Sequence, residues 1–164
     1  MALRTIVQDG DPILRKKTRE VTAFDARLHT LIDDMRETLT DANGLGLAAP
    51  QVGIMRRVAL VVDMGPEEDT VIELINPRIV AEEGSQEGPE GCLSFPGLWG
   101  VVIRPEKVTV EAQDRFGKPF RVSGEGLTAR AFCHEIDHLD GQVFTEKATR
   151  FIDPEEAAAG REED

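Results

Sequence analysis

The sequence predicts an α+β fold in which largely antiparallel sheets surround a central buried helix carrying an HExxH motif. Three observations predict it. Strand-like segments fill the middle of the chain with no helical segment between them, so neighbours pair antiparallel. An amphipathic helix precedes them. The helix that follows is apolar around much of its circumference, as a buried helix must be.

Between Thr22 and Asn43, Leu28, Leu31, Ile32, Met35 and Leu39 recur at helical spacing, while Asp33, Asp34, Arg36 and Glu37 face away. Asn43-Gly44 ends this helix. The next residues, Gly44-Leu45-Gly46-Leu47-Ala48-Ala49-Pro50-Gln51, are too small and glycine-rich for ordinary core and predict a close approach to the backbone. They lack the Gly-Lys-Ser/Thr ending of a phosphate loop, which argues against nucleotide binding.

Strands are predicted at Val58 to Val62, Val71 to Ile75, Ile79 to Val80, Val101 to Ile103 and the alternating Lys107 to Gln113. Turn chemistry at Asp114 to Gly117 leads into a hairpin partner at Pro119 to Val122. A second helix runs from about Leu127 to Asp140 and stops at Gly141, which suits a left-handed position. Leu127, Ala131, His134 and His138 form one stripe of it, and Phe132, Ile136 and Leu139 make much of the rest apolar. In the tail, Asp153-Pro154-Glu155-Glu156 reads as a cap before three alanines, giving a short fraying helix or plain disorder.

A chain of 164 residues with 40% hydrophobic content fits one domain, assigned to residues 1–152, with a short acidic tail over 153–164. Arg4, Gln8, Asp9 and Asp11 interrupt any export signal, and the longest apolar run, Val58 to Val62, is too short to span a membrane. A cytoplasmic location follows, in which Cys92 and Cys133 stay thiols. The net charge of −12 argues against an extended phosphate-binding surface, so neither sequence-specific nucleic acid binding nor membrane binding is expected.

Two of the three histidines fall in His134-Glu135-Ile136-Asp137-His138, one helical turn apart, with a carboxylate between them. Such a pair needs at least one more protein ligand to hold a divalent metal that keeps a reactive position. One zinc-protease class places a third His six residues after the second, but here that position holds Phe144. A downstream Glu could come from Glu146, Glu155 or Glu156. Cys133 is rotated about 100° from His134 around the helix, so it cannot easily face the same ion. Cys92 sits in Glu90-Gly91-Cys92-Leu93-Ser94, flanked by Gly88-Pro89 and Pro96-Gly97, a rigid turn suited to presenting a thiolate.

The segments Gly44 to Gln51, Glu90 to Ser94 and His134 to His138, in this order and spacing, resemble the three motifs of the peptide deformylases. The resemblance runs from Asp11-Pro12-Ile13-Leu14-Arg15 through about Phe144. It implies removal of the formyl group from the N-terminal methionine of new polypeptides, using one divalent metal ion per chain, usually ferrous iron and replaceable by zinc or nickel. By motif position Cys92, His134 and His138 become the metal ligands and Glu135 the general acid/base. Gln51 and the Leu93 N–H become donors to the developing oxyanion.

The substrate implied is an N-formyl-methionyl nascent peptide, bound as an added strand through main-chain groups of Leu45, Gly46 and Gly91. Leu45, Leu127, Ala131 and the His134 ring are candidates for the methionine slot, and Arg104 resembles a family arginine near the peptide path. A transient ribosome contact is implied by family, although the tail here is short and acidic. Cys133, where many family members carry Gln, reads as a packed core thiol. Trp99 and Phe95 could line the pocket rim or simply pack, with packing the preferred reading, and His29 reads as a surface residue. The competing functions are an HExxH metal-dependent endopeptidase and a non-enzymatic protein with a structural metal, though no convincing fourth ligand closes such a site.

Overall fold

The computed structural model describes residues 2–64 and 67–163, leaving Met1, Gly65, Pro66 and the tail residue Asp164 outside. Among the described residues, eight strands and three α-helices follow one another as α1 (Ala26–Ala42), β1 (Gly46–Ala48), β2 (Val58–Met64), β3 (Asp69–Glu83), β4 (Gln86–Glu90), β5 (Trp99–Arg104), β6 (Lys107–Gln113), β7 (Pro119–Glu125), α2 (Gly126–Leu139), β8 (Arg150–Ile152) and α3 (Pro154–Glu163). The strands form a five-stranded sheet of order β1-β2-β3-β6-β7 and a three-stranded sheet of order β4-β5-β8. Every pairing between these strands is antiparallel, as predicted for an α+β chain.

Helix α1 begins four residues later than Thr22, because the Asp25 side chain accepts the Leu28 N–H and takes the cap position. Asn43 ends it in the left-handed region at φ 54°. Leu28, Leu31, Ile32, Met35 and Leu39 are buried, as their spacing predicts. Asp34 is a correction. It is buried rather than facing away, since Ala2 N–H donates to it at 2.7 Å and Arg4 Nε at 3.0 Å from an N-terminal segment laid across the helix.

Strand β2 explains its own continuous apolar run. Val58 and Leu60 pack with α1 on one face, whereas Val61 packs with Ala129, Phe132 and Ile136 of α2 on the other. A strand covered on both faces cannot alternate apolar with polar. Strand β3 joins two predicted segments into one, with its register shifted between Ile75 and Arg78. Asn76 makes that bulge at φ 53°, where its side chain accepts the Val21 N–H and donates to Val21 O and Gln113 Oε1. The predicted hairpin turn is present, with Gly117 at φ 85° and Asp114 Oδ1 accepting the N–H groups of Phe116 and Lys118.

Strands β1, β4 and β8 carry no readable signal. Two are three residues long, and β4 reads Gln-Glu-Gly-Pro-Glu, held in place by its register with β5. Helix α2 is shifted by one residue from the predicted span and is buried along most of its length. Its C-terminal end is tied down by Thr18, whose N–H and hydroxyl both donate to Leu139 O, and by Arg57, which reaches Leu139 O and Asp140. Gly141 lies at φ 75°, and a Cβ there would meet Arg15 O at 2.7 Å. Asp153 caps α3 by accepting the Glu156 N–H, and Ala157 is buried, so the tail is helical through Glu163. Among the described residues, no helix is long and apolar enough to cross a membrane.

Candidate active site

Helix α2 supplies His134 and His138 on one face, and the turn after β4 brings Cys92 to them from the small sheet. The ligand atoms of Cys92, His134 and His138 all lie within 4.8 Å of one another. Cys92 Sγ is 3.3 Å from His138 Nε2, and the two imidazole rings stand nearly edge to face with centroids 4.8 Å apart. Of the third-ligand options, the thiol of Cys92 is the one that reaches the histidine pair. Phe144 instead packs its ring on Phe95 at 5.5 Å.

His134 is oriented by Glu90, a residue to which the sequence alone assigns no role. Its Nδ1 donates to Glu90 Oε2 at 2.6 Å, which leaves Nε2 for the side shared with Cys92. Glu90 is buried and receives Arg104 through Nε at 3.0 Å and Nη2 at 2.6 Å, and Arg130 through Nη1 at 3.1 Å. Burial works against its charge, but His134 and Arg104 outweigh that and hold the carboxyl well below the usual range. A ligand histidine needs a partner for its second nitrogen, and that need was the available signal for Glu90.

Burial drives His138 well below the ordinary imidazole range, which keeps it a neutral donor. Burial also opposes charge on His134, but Glu135, Cys92 and Glu90 raise it well above that range. Burial pushes the Glu135 carboxyl up to about 7. Glu135 Oε1 and His138 Nδ1 are buried polar atoms without a partner in the protein. A thiol, two imidazoles and an unsatisfied carboxylate are a donor set that suits a divalent ion of the zinc or ferrous type.

The glycine-rich segment meets the close neighbour it predicts. A Cβ on Gly46 would sit 2.8 Å from both Cγ and Cδ of Glu135, so only glycine lets β1 pass this carboxylate. Gln51, in a short 3-10 turn, accepts the Ala48 N–H on Oε1 at 2.9 Å. Since an amide N–H can only donate, this bond turns the Gln51 NH₂ toward Cys92 Sγ at 3.4 Å and Ser94 Oγ at 3.2 Å.

These groups open into a cleft of about 340 Å³. Leu45, Gly46, Gln51, Gly91, Cys92 and Leu93 line one part of it, and Leu127, Arg130, Ala131, His134 and Glu135 another. A family model described as polypeptide deformylase matches residues 3–152. The chain belongs to the polypeptide deformylase family.

Among deformylases, a peptide deformylase of Caldicellulosiruptor bescii is 57% identical over 156 residues, 95% of this chain and 92% of that one. The crystal structure of a peptide deformylase from Legionella pneumophila, 44% identical, superposes with a TM-score of 0.84 over 98% of this chain and 92% of that one. A Met-Ala-Ser-bound class I type b peptide deformylase from Acinetobacter baumannii, 34% identical, gives 0.83 over 88% and 98%. The deformylase family is one of metalloenzymes, which agrees with the grouping of Cys92, His134 and His138.

Other assignments change against the deformylase cleft. Arg104 is absent from its wall; it is 4% exposed and held by the buried Glu90 and by the half-buried Asp137, whose Oδ2 it reaches at 2.7 Å. His29 is half-buried rather than on the surface, bonding Arg115 O through Nε2 at 2.8 Å and stacking edgewise on Phe116. Trp99 lines the cleft as well as packing, its ring lying where a Cβ on Gly91 would be. Cys133 sits in an apolar cluster with Val108, Val110 and Phe132, where burial pushes its thiol up to about 11.

Proposed function

We propose that this chain removes the N-formyl group from the formylmethionine of newly made polypeptides, with Cys92, His134 and His138 holding one divalent metal ion on the buried helix at the centre of the fold. The convergence of those three donors beside Glu135, in a cleft lined by a glycine strand, carries the reading. A divalent ion held there would supply a Lewis acid and an acidified water near neutral pH, with ferrous iron the natural choice and zinc or nickel able to replace it.

The remaining chemistry belongs to side chains of this chain. Glu135, buried and pushed up to about 7, takes the proton of the attacking water and returns it to the leaving amine nitrogen. Gln51 donates from its NH₂, and Leu93 from its backbone N–H, to the oxygen of the formyl carbonyl as it gains charge. The peptide lies along Leu45, Gly46 and Gly91 as an added strand, and the methionine side chain enters between Leu127, Ala131 and His134. Residues 1–152 act as the catalytic domain and 153–164 as an acidic tail, at work in the cytoplasm with transient contact to the ribosome.

Family membership favours this reading over an HExxH endopeptidase. Incubation of the metal-loaded protein with formyl-Met-Ala-Ser and with a longer unformylated peptide separates the two. Release of formate with the second peptide intact is expected; internal cleavage without formate release would overturn the proposal.

A further inference from the structure

Gln51 and Leu93 come from parts of the chain that no strand register relates. Gln51 follows β1 of the five-stranded sheet, whereas Leu93 lies in the turn after β4 of the three-stranded sheet. Their spacing depends on bonds outside both sheets. Gln51 Nε2 donates to Ser94 Oγ at 3.2 Å, and Ser94 is fully buried. A single bond between two side chains fixes a distance but leaves the two backbones free to turn about it.

Residues 7–9 remove that freedom. Val7 N–H donates to Gln51 O at 2.7 Å, and two residues on, Asp9 N–H donates to Ser94 O at 2.8 Å. The path from Gln51 through Val7, Gln8 and Asp9 to Ser94, and back through the Ser94 and Gln51 side chains, is a closed ring. Gln8 Nε2 adds a long bond to Leu93 O at 3.4 Å, while the Gln8 main-chain N–H donates to no backbone carbonyl among the described residues.

The segment is anchored on both sides. Before it, Ala2 N–H and Arg4 Nε reach the buried Asp34 at 2.7 and 3.0 Å, and Arg4 N–H reaches Thr38 Oγ1 at 2.9 Å, so α1 holds it. After it, Asp11 caps the short turn Pro12–Arg15, whose Leu14 is fully buried with Phe95 and Phe144. Val7 and Cys92 both pack against that cluster. None of residues 7–9 lines the cleft.

Resting on the deformylase reading above, we propose that residues 7–9 are a positioning segment that sets the spacing and aim of the Gln51 and Leu93 donors. It acts through those donors, which serve where charge appears in the transition state, so loosening the ring shows in kcat rather than in KM.

The test replaces one peptide N–H at a time by an ester oxygen, using α-hydroxy acids at position 7, 8 or 9 of the full chain. Every side chain stays, and only the esters at 7 and 9 open the ring. With zinc-loaded protein and formyl-Met-Ala-Ser, kcat should fall roughly tenfold at 7 and at 9 and by at most about twofold at 8, with KM and metal content unchanged. Apart from turnover, the NMR signals of the Leu93 main-chain N–H and the Gln51 side-chain NH₂ should shift with the esters at 7 and 9 and hold with that at 8. Equal kcat at all three positions, or a loss that follows metal content, would overturn the inference. A wild-type protein inactive on formyl-Met-Ala-Ser would overturn the deformylase reading instead, since the NMR comparison involves no hydrolysis.

Discussion

Glu90 Oε2 accepts the His134 Nδ1–H at 2.6 Å, and this bond decides which ring nitrogen His134 turns toward Cys92 and His138. Replacing Glu90 by Gln removes the charge that Arg104 and Arg130 share and weakens the orientation of the ring. E90Q should hold metal roughly tenfold to a hundredfold more weakly. It should also lose about 3 kcal/mol of stability, because buried cations are left underpaired. Metal content after dialysis against a graded chelator and urea unfolding measure the two effects.

Gly46 and Glu135 are in contact, and the glycine is there for that reason. G46A forces the carboxylate to move while leaving Cys92, His134 and His138 in place. Displacement of a reacting group by about an ångström costs on the order of a hundredfold, so kcat/KM should fall by about that factor with metal content unchanged. Normal turnover in G46A would show that Glu135 need not sit against β1.

Much of the site was legible because its chemistry is local. The histidine pair and Glu135 are spaced by one helical turn, and the glycines of 44–46 announce a close approach without saying to what. The partners of these residues were not legible, since they come from elsewhere in the chain. Glu90 meets His134 only after β4 pairs with β5, a strand whose own residues have poor strand propensity. Asp34 reads as a surface acid on an amphipathic helix until residues 2–4 cross it. Arg104 resembles a family arginine near the peptide path, but the buried Glu90 and the half-buried Asp137, both remote in sequence, draw it inside.

Asp34 also gives a pH signature. Burial raises its pKa, but the Ala2 N–H and the Arg4 guanidinium outweigh that and lower it below the ordinary 3.8. A carboxyl with a depressed folded pKa stabilises above its unfolded pKa and loses that contribution as pH falls through the folded value. D34N should therefore be less stable than the wild type from pH 5 to 8, with the gap closing below about pH 3.8. Melting temperatures of both proteins across that range test it; a gap that widens in acid would contradict the assignment.

The bulge at Asn76 holds β3 to the segment around Val21 and to Gln113. N76A loses these bonds and places a Cβ residue at φ 53° without its local polar compensation. A loss of roughly 2–4 kcal/mol is expected in chemical unfolding. N76G relieves the backbone alone and should recover about 1 kcal/mol of that.

Metal identity should govern behaviour in air. Ferrous iron beside a thiolate invites oxidation of both, so iron-loaded protein should lose activity in air while nickel- or zinc-loaded protein keeps it. Equal loss with all three would count against Cys92 as a ligand. Cys133, buried in the sheet-facing core, should stay unmodified by alkylating reagents throughout.

The central claim is that Glu135 moves the proton while Cys92, His134 and His138 hold the ion. Metal content and formyl-Met-Ala-Ser turnover of anaerobically purified E135Q test it most directly. One bound metal per chain with turnover reduced by roughly 10²–10⁴-fold is expected. Turnover equal to the wild type, with metal retained, would contradict it.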